Sequence, residues 1–205
     1  MSFTNVNSSV TPVLEAADSA ALRLLGALAG QDLTLGSAMP SVQRVRVAAG
    51  AELFGAEQLH PYVYVVRSGL LKLHYLRADG QEWIKSFSHE GMFFGSLAAL
   101  SAGGRSSFSV SAIEASELER LDYRELEALA AREPAWLLAL YRAMQRFAAL
   151  KEQRELELLT LTPPERYAAF LAAEPGLAER IPLKDLARFL GITPVSLSRI
   201  RARRR

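Results

Sequence analysis

The sequence predicts an α+β chain: a block of short antiparallel strands, then one long helix, then a terminal helix-turn-helix. Three observations predict this order. Residues 43–122 break into short segments rich in β-branched and aromatic residues, "VQRVRV", "YVYVVRSG", "LLKLHYL" and "QEWIKSF", which suit a pleated, half-buried surface. Residues 135–159 place Leu137, Leu140, Tyr141, Met144, Phe147 and Ala148 on one helical stripe. Residues 183–201 read as helix, glycine turn, helix, and a run of arginines follows.

Taken in order, residues 1–12 are polar and expected to be loose. "VLEAADSAALRLLGALA" is rich in Ala and Leu at helical spacing and predicts one or two short helices. Turn signals then punctuate the strand block, with "AAG" at 48–50, "SG" at 68–69, "ADGQ" at 78–81, "HEG" at 89–91 and "AGG" at 102–104. Strands so short and so evenly spaced indicate an antiparallel sandwich or barrel, not a parallel sheet. At Asp122 they stop. Asp122 and Glu125 have the spacing of a capping box, which satisfies amide donors that a helix start leaves orphaned. Leu126, Leu129 and Ala130 share a face, and Pro134 suits the first turn of a new helix.

That new helix would be roughly 40 Å long at 1.5 Å per residue. Beside a small sheet it has more apolar face than one chain covers, so a partner helix from a second copy is expected, with burial inside the same chain as the alternative. "TPPE" at 162–165 is a second capping box, Thr162 to Glu165, with Pro163 at the first helical position. Tyr167, Phe170 and Leu171 form the face of this helix, and Pro175 with Gly176 ends it. Leu183, Leu186, Ala187 and Leu190 follow at i, i+3, i+4 and i+7, with Gly191 as the stop.

The composition excludes several classes. Half of the 205 residues are hydrophobic and 22% are charged, which is enough apolar material for a sizeable core. There is no cysteine, so disulfides, cysteine nucleophiles, iron–sulfur clusters and zinc–thiolate sites are ruled out, as suits a reducing cytoplasm. The opening residues lack the basic segment and apolar run of a signal peptide, and no apolar stretch reaches a membrane span, so a cytoplasmic protein is expected. There is no nucleophile elbow, no metal-spaced His pair and no phosphate-cradling Gly-rich loop opening a helix. Neither catalysis nor a metal is expected.

Charge is distributed unevenly. The chain carries a net +2, but residues 181–205 hold seven Lys or Arg against one Asp, a net +6 that leaves −4 for the remainder. Basic charge gathered at one end is the pattern of a chain whose end meets a polyanion. A helix-turn-helix needs a tight turn and a second helix whose start enters the major groove. Thr193 can cap that helix and Pro194 pre-sets its first dihedral, while Leu197 and Ile200 can pack on Leu186, Ala187 and Leu190. Thr193, Val195, Ser196, Ser198, Arg199 and Arg201 are then the candidates outside the core. Arg199 has the fork for guanine O6 and N7, Val195 suits a thymine methyl, and the serines reach phosphate or base edges. Arg203, Arg204 and Arg205 suit phosphates and add affinity without reading sequence.

"IPLKDLARFLGITPVSLSRIR" closely resembles the DNA-binding end of the CRP/FNR superfamily of bacterial transcription regulators, through its distinctive "L-G-I-T-P-x-S-L-S-R-I-R". Upstream, "YVYVVRSGLLKLHYLRADGQEWIKSF" resembles the central β-roll of the cyclic-nucleotide-binding fold, with Gly69 at a turn the family also uses. "EGMFFGSLAAL" resembles the segment that leads to that fold's phosphate cassette. The resemblance implies a cyclic-nucleotide-binding-like β-roll over residues 1–130, a long dimerisation helix over 131–160 and a winged-helix-like helix-turn-helix domain over 161–205. It further implies double-stranded DNA as partner, a homodimer on a pseudo-palindromic operator, and contact with RNA polymerase. A cyclic-nucleotide sensor that acts on a protein partner is the alternative.

The resemblance also locates an effector pocket at Gly95, Ser96, Leu97, Arg105, Ser106 and Ser107, where the sequence departs from the family. Relatives that bind cyclic AMP carry Gly-Glu and then Arg-Ser or Arg-Thr, the Glu for the ribose and the Arg for the cyclic phosphate. Here Gly95 matches, but Ser96 replaces the Glu, and Arg105 stands one residue early, leaving Ser106 and Ser107 at the pair. A slip of one residue turns a strand side chain to the other face, so the usual mode of cyclic AMP binding is not expected. Haem, which some relatives use, needs an axial ligand, and His60, His74 and His89 are scattered without supporting motifs. In the recognition helix, Pro194 and Val195 stand where well-known relatives carry an Arg and a Glu, and only Arg199 is shared. No hairpin wing is expected after this helix, and the chain is similar to the shorter branch whose effector is undefined.

Overall fold

The structure is a computed structural model that describes residues 8–12, 18–33, 38–101 and 103–203. Its strands are β1 (Ser8–Pro12), β2 (Val42–Val47), β3 (Glu52–Phe54), β4 (Tyr62–Ser68), β5 (Leu70–Leu76), β6 (Glu82–His89), β7 (Phe93–Phe94), β8 (Ser109–Ala112) and β9 (Ser116–Asp122). They form two antiparallel sheets in the orders β1-β2-β9-β4-β7 and β3-β8-β5-β6. The helices are α1 (Ala20–Ala29), α2 (Leu97–Leu100), α3 (Tyr123–Ala130), α4 (Pro134–Thr160), α5 (Pro163–Ala173), α6 (Leu177–Arg180), α7 (Leu183–Phe189) and α8 (Pro194–Arg203). Among the described residues no helix is long and apolar enough to cross a membrane.

Strand alternation explains the layering. On the inner face of the first sheet Val45, Val47, Tyr64, Val66 and Leu118 meet Leu71, Leu73, Val110 and Ala112 of the second. The alternate residues Val42, Val65 and Leu121 point the other way, onto Leu22 and Leu25 of α1, Leu126 of α3, and Trp136 and Ala139 of α4. Both faces of the first sheet are therefore dry, so β4 reads as a nearly continuous apolar run. The outer face of the second sheet presents Leu70, Ile84 and Phe87 to the C-terminal helices. The terminal head thus packs directly on the β-roll. Gly69 links β4 to β5 at φ +97°, and a Cβ there would stand 2.7 Å from the Ala115 carbonyl oxygen, so only glycine makes this turn.

Several expectations are corrected. Residues 8–12 are not loose: they pair with β2 from Ser8↔Val47 to Pro12↔Gln43, covering a sheet edge that would otherwise expose open amides. Asp122 caps α3 by accepting from the Arg124 amide at 2.8 Å, but Glu125 does not reach back. Its carboxylate accepts from Ser41 N at 2.7 Å instead, so the capping box is not closed. At the start of α5 the box is present, with the Glu165 carboxylate 2.8 Å from the Thr162 amide. The long helix extends one residue beyond each expected end. Its apolar stripe is split between two partners. Leu140 packs among the α1 and first-sheet residues and Phe147 lies beneath Lys85 of β6, both on the side of buried Trp136 and Ala143. Leu137 and Tyr141 face outward at 57% and 58% exposure.

Candidate nucleic-acid interface

The turn between α7 and α8 is a Schellman motif. Gly191 adopts φ +71°, its amide donates to the Arg188 carbonyl at 3.2 Å, and Ile192 N donates to the Ala187 carbonyl at 3.0 Å. Thr193 then starts α8, its hydroxyl accepting from Ser196 N at 3.1 Å and contacting the Ser196 hydroxyl at 2.9 Å. Leu197 is fully buried against α7, and Ile200 packs beside it. At 100° per residue the opposite face carries Val195, Ser198, Arg199 and Arg203. Val195 is 60% exposed, and Arg199 and Arg203 are exposed without a protein partner among the described residues.

Arg201 departs from expectation. Its guanidinium donates to the Tyr167 hydroxyl and the Ala178 carbonyl, each at 3.2 Å, and does not face the groove side. It lies one turn beyond Leu197 and so shares the inward face. Thr193 and Ser196 have their hydroxyls engaged in the cap. Arg204 and Arg205 lie outside the described residues.

An ionic belt fixes the head to the second sheet. Arg180 reaches Glu114 at 2.6 Å and Glu90 at 3.0 Å, and Glu90 also accepts from Gly69 N at 2.9 Å. Chiefly because of Arg180, the Glu90 carboxyl is held down to about 2. Arg188 pairs with Glu82, and Lys72 bridges Glu82 at 2.6 Å and Asp185 at 3.5 Å. Arg154 of α4 lays its guanidinium 3.8 Å over the Phe189 ring and donates to the Phe189 carbonyl. Two of the basic residues counted at the C-terminal end, Arg188 and Arg201, are therefore committed within the fold.

The roll interior is occupied by side chains. Phe54 stacks on His60 at 4.0 Å, His60 on Tyr64 at 5.6 Å, and Tyr64 on Phe94 at 5.2 Å, with Phe108 beside Phe54 at 6.0 Å. His60 Nε2 and the Tyr64 hydroxyl share a hydrogen bond of 2.8 Å. Burial, helped by Arg120, pulls the His60 imidazole down to about 4, and burial pushes the Tyr64 phenol up. Of the six expected pocket residues, Ser96 and Ser107 meet each other, and the others have separate surroundings. Ser96 is buried ahead of α2 and accepts from Ser107 N at 3.3 Å. Ser106 donates to the Phe108 carbonyl at 2.7 Å. Gly95 lies against Val63, and Leu97 is exposed. Arg105 is exposed and donates to the Glu57 carbonyl at 2.6 Å. His74 pairs with Ser111 at 3.0 Å and His89 with Glu174 at 3.1 Å, as ordinary polar histidines do.

One buried carboxylate escaped the sequence reading. Glu119, on the outer face of β9 with 0% exposure, accepts from the Ser19 hydroxyl at 2.7 Å, from Ala20 N at 3.1 Å and Ala21 N at 2.8 Å at the start of α1, and from Arg67 at 2.6 Å. It caps α1 from the sheet. Nothing in "SELERLD" signals this, since its partners Ser19 and Arg67 are 100 and 52 residues away.

Comparison with known proteins agrees with this geometry. Residues 44–133 match the cyclic nucleotide-binding domain. The nitrogen fixation regulation protein FixK of Azorhizobium caulinodans is 32% identical over 166 residues, covering 74% of this chain, which spans 64% of that protein's length. FixK of Bradyrhizobium diazoefficiens is 26% identical over 168 residues, covering 77% and 69%. The structure of FixK2 from Bradyrhizobium japonicum superposes with a TM-score of 0.71 at 22% identity, over 79% of this chain and 83% of that one, a likeness of fold. The chain therefore contains a cyclic nucleotide-binding domain and shares the fold of FixK2 from Bradyrhizobium japonicum.

Proposed function

We propose that this protein is a homodimeric, sequence-specific DNA-binding transcription regulator of the cytoplasm, and not an enzyme. The observation that carries the reading is the division of α8 into a face fixed by Leu197, Ile200 and Arg201 and a face of Val195, Ser198, Arg199 and Arg203 that has no partner among the described residues. Arg199 and Val195 stand where base edges are read, and Arg203 with exposed Lys184 stands where phosphates are met. Residues 131–160 join two copies through the outward stripe of Leu137 and Tyr141, continued by exposed Leu156 and Leu159. Two heads then meet half-sites about 34 Å apart, one turn of duplex. RNA polymerase is the further partner in this reading.

The alternative, a cyclic-nucleotide sensor acting on another protein, fits poorly with a roll filled by Phe54, His60, Tyr64, Phe94 and Phe108. Selection of bound sequences from a random duplex pool is expected to enrich paired half-sites. An unenriched pool would defeat the proposal, and micromolar heats with cyclic AMP or cyclic GMP would favour the alternative.

A further inference from the structure

The last carbonyls of a helix have no donor within it and need partners from elsewhere. At the end of α7 those of Ala187 and Arg188 accept from the Ile192 and Gly191 amides of the turn itself. Those of Phe189 and Leu190 accept from guanidinium groups on two other helices. Arg154 of α4 donates to the Phe189 carbonyl and covers the Phe189 ring, which is itself held by Phe87 at 5.3 Å and Phe170 at 5.5 Å. Arg166 of α5 donates to the Leu190 carbonyl at 3.0 Å and to the Leu161 carbonyl, where α4 ends, at 2.7 Å. The turn that leads into the recognition helix is thus closed from outside, in part by the long helix. Along residues 148–160 of that helix every residue is exposed except Arg154 and Glu157. Glu157 turns back on α4, bonded to Gln153 at 3.0 Å and 3.9 Å from Arg154. This half of α4 is therefore tied to its own chain chiefly through Arg154.

We infer that Arg154 is a positioning residue for DNA reading, which ties the long helix to the turn before α8 and so fixes the spacing and rotation between the two heads of a dimer. The inference rests on the proposed function and names the residue that sets its geometry. A guanidinium can lie flat on a ring and donate from its edge at the same time, which a lysine ammonium cannot. Stability alone does not call for this cation. Its Nη1 is buried with no hydrogen-bond partner among the described residues, and burial pulls the group down to about 10. An apolar side chain of similar length is no worse for folding. Changing an operator by one base pair turns one half-site by about 35° relative to the other. Heads held in one setting reject that change, and heads on a loose tie accept it.

The full chain has no cysteine, so spin labels at Glu155→Cys on α4 and Ala202→Cys on α8 report one distance when labelled copies are diluted with unlabelled ones. Both positions are exposed. A single narrow distance is expected with Arg154 in place, and a broader distribution with Arg154→Met and with Arg154→Lys, at unchanged melting temperature. On DNA, the wild type is expected to prefer the selected half-site spacing over one base pair more or less by about tenfold or more, and either variant by about threefold or less. Base preference within each half-site stays as in wild type. The inference is overturned if the distance stays equally narrow in both variants, if both keep the wild-type spacing preference, or if they lose affinity equally at every spacing. The label measurement uses no DNA, so a pool without enriched half-sites defeats the proposed function and leaves Arg154 to be judged by the distance.

Discussion

Mild acid is expected to weaken the β-roll through one imidazole before the carboxylates matter. His60 lies between Phe54 and Tyr64, and burial lowers it from 6.5 to about 4. A group depressed on folding contributes stability above its unfolded value and loses it as pH falls toward the folded one, so the window here is pH 6.5 down to 4. Between pH 7 and pH 5 the unfolded chain takes up the proton and the folded chain does not. Linkage then gives a loss of about 2 kcal/mol, or roughly 0.7–1 M in the urea midpoint for a chain of this size.

The measurement is a pair of urea titrations at these two pH values on wild type and on His60→Phe, which keeps a ring in the stack and removes the titrating group. His74 is also lowered, by burial against the opposing pull of Glu82, so the variant is needed to isolate His60. Wild type should lose the stated midpoint and His60→Phe should lose much less. If both fall equally, the imidazole is not held neutral inside the roll, and the account of the roll as filled and dry fails with it.

Three further outcomes follow from other parts of the molecule. Arg199→Ala is expected to lower affinity for the selected operator by about 1–3 kcal/mol and relax the choice at one base pair, measured by competition among single-base operator variants. Leu137→Glu with Tyr141→Glu places like charges across the proposed helix seam and should weaken the dimer by several kcal/mol, read by sedimentation equilibrium, while a monomer melts as before. Glu119→Leu removes the buried carboxylate that accepts from Arg67, the Ser19 hydroxyl and the Ala20 and Ala21 amides, and should cost about 3–5 kcal/mol, seen as a fall of roughly 6–20 °C in Tm by calorimetry; an unchanged Tm would remove Glu119 from the framework.

What could be read in the sequence follows a physical line. The strands "VQRVRV", "YVYVVRSG" and "LLKLHYL" were legible because their apolar residues are dense and bounded by turn residues. The terminal head was legible because its contacts are local, with Leu197 and Ile200 meeting Leu186, Ala187 and Leu190 within a few turns of chain. The buried carboxylate of β9 was not, because Glu119 on the outer face of the sheet has the same letter as a solvated one, and only distant Ser19 and Arg67 distinguish it. β1 is too short and polar to announce itself and exists through its pairing with β2. The splitting of the α4 stripe depends on which neighbours approach each side, and periodicity alone does not carry that. Arg201 was legible in principle, since four residues after a buried leucine is the same helical face; the density of nearby arginines drew it to the wrong side.

That last point changes how the basic end should behave. In the net charge all seven cations of residues 181–205 count alike, but Arg188 is bound to Glu82 and Arg201 to Tyr167 and Ala178. Lys184, Arg199 and Arg203 remain outward among the described residues. Each outward cation that neutralises a phosphate releases counterions and steepens the dependence of affinity on salt by about one per site. A dimer doubles this, so Arg203→Gln should reduce the slope of log affinity against log salt by about 2 with the base preference unchanged. Arg201→Gln should leave that slope unchanged and lower the melting temperature of the head, because its guanidinium supports α5 and α6. Measuring both slopes by titration at several salt concentrations separates the two roles. A slope that falls with Arg201→Gln and holds with Arg203→Gln would reverse the assignment of faces on α8, and the proposed groove contact with it.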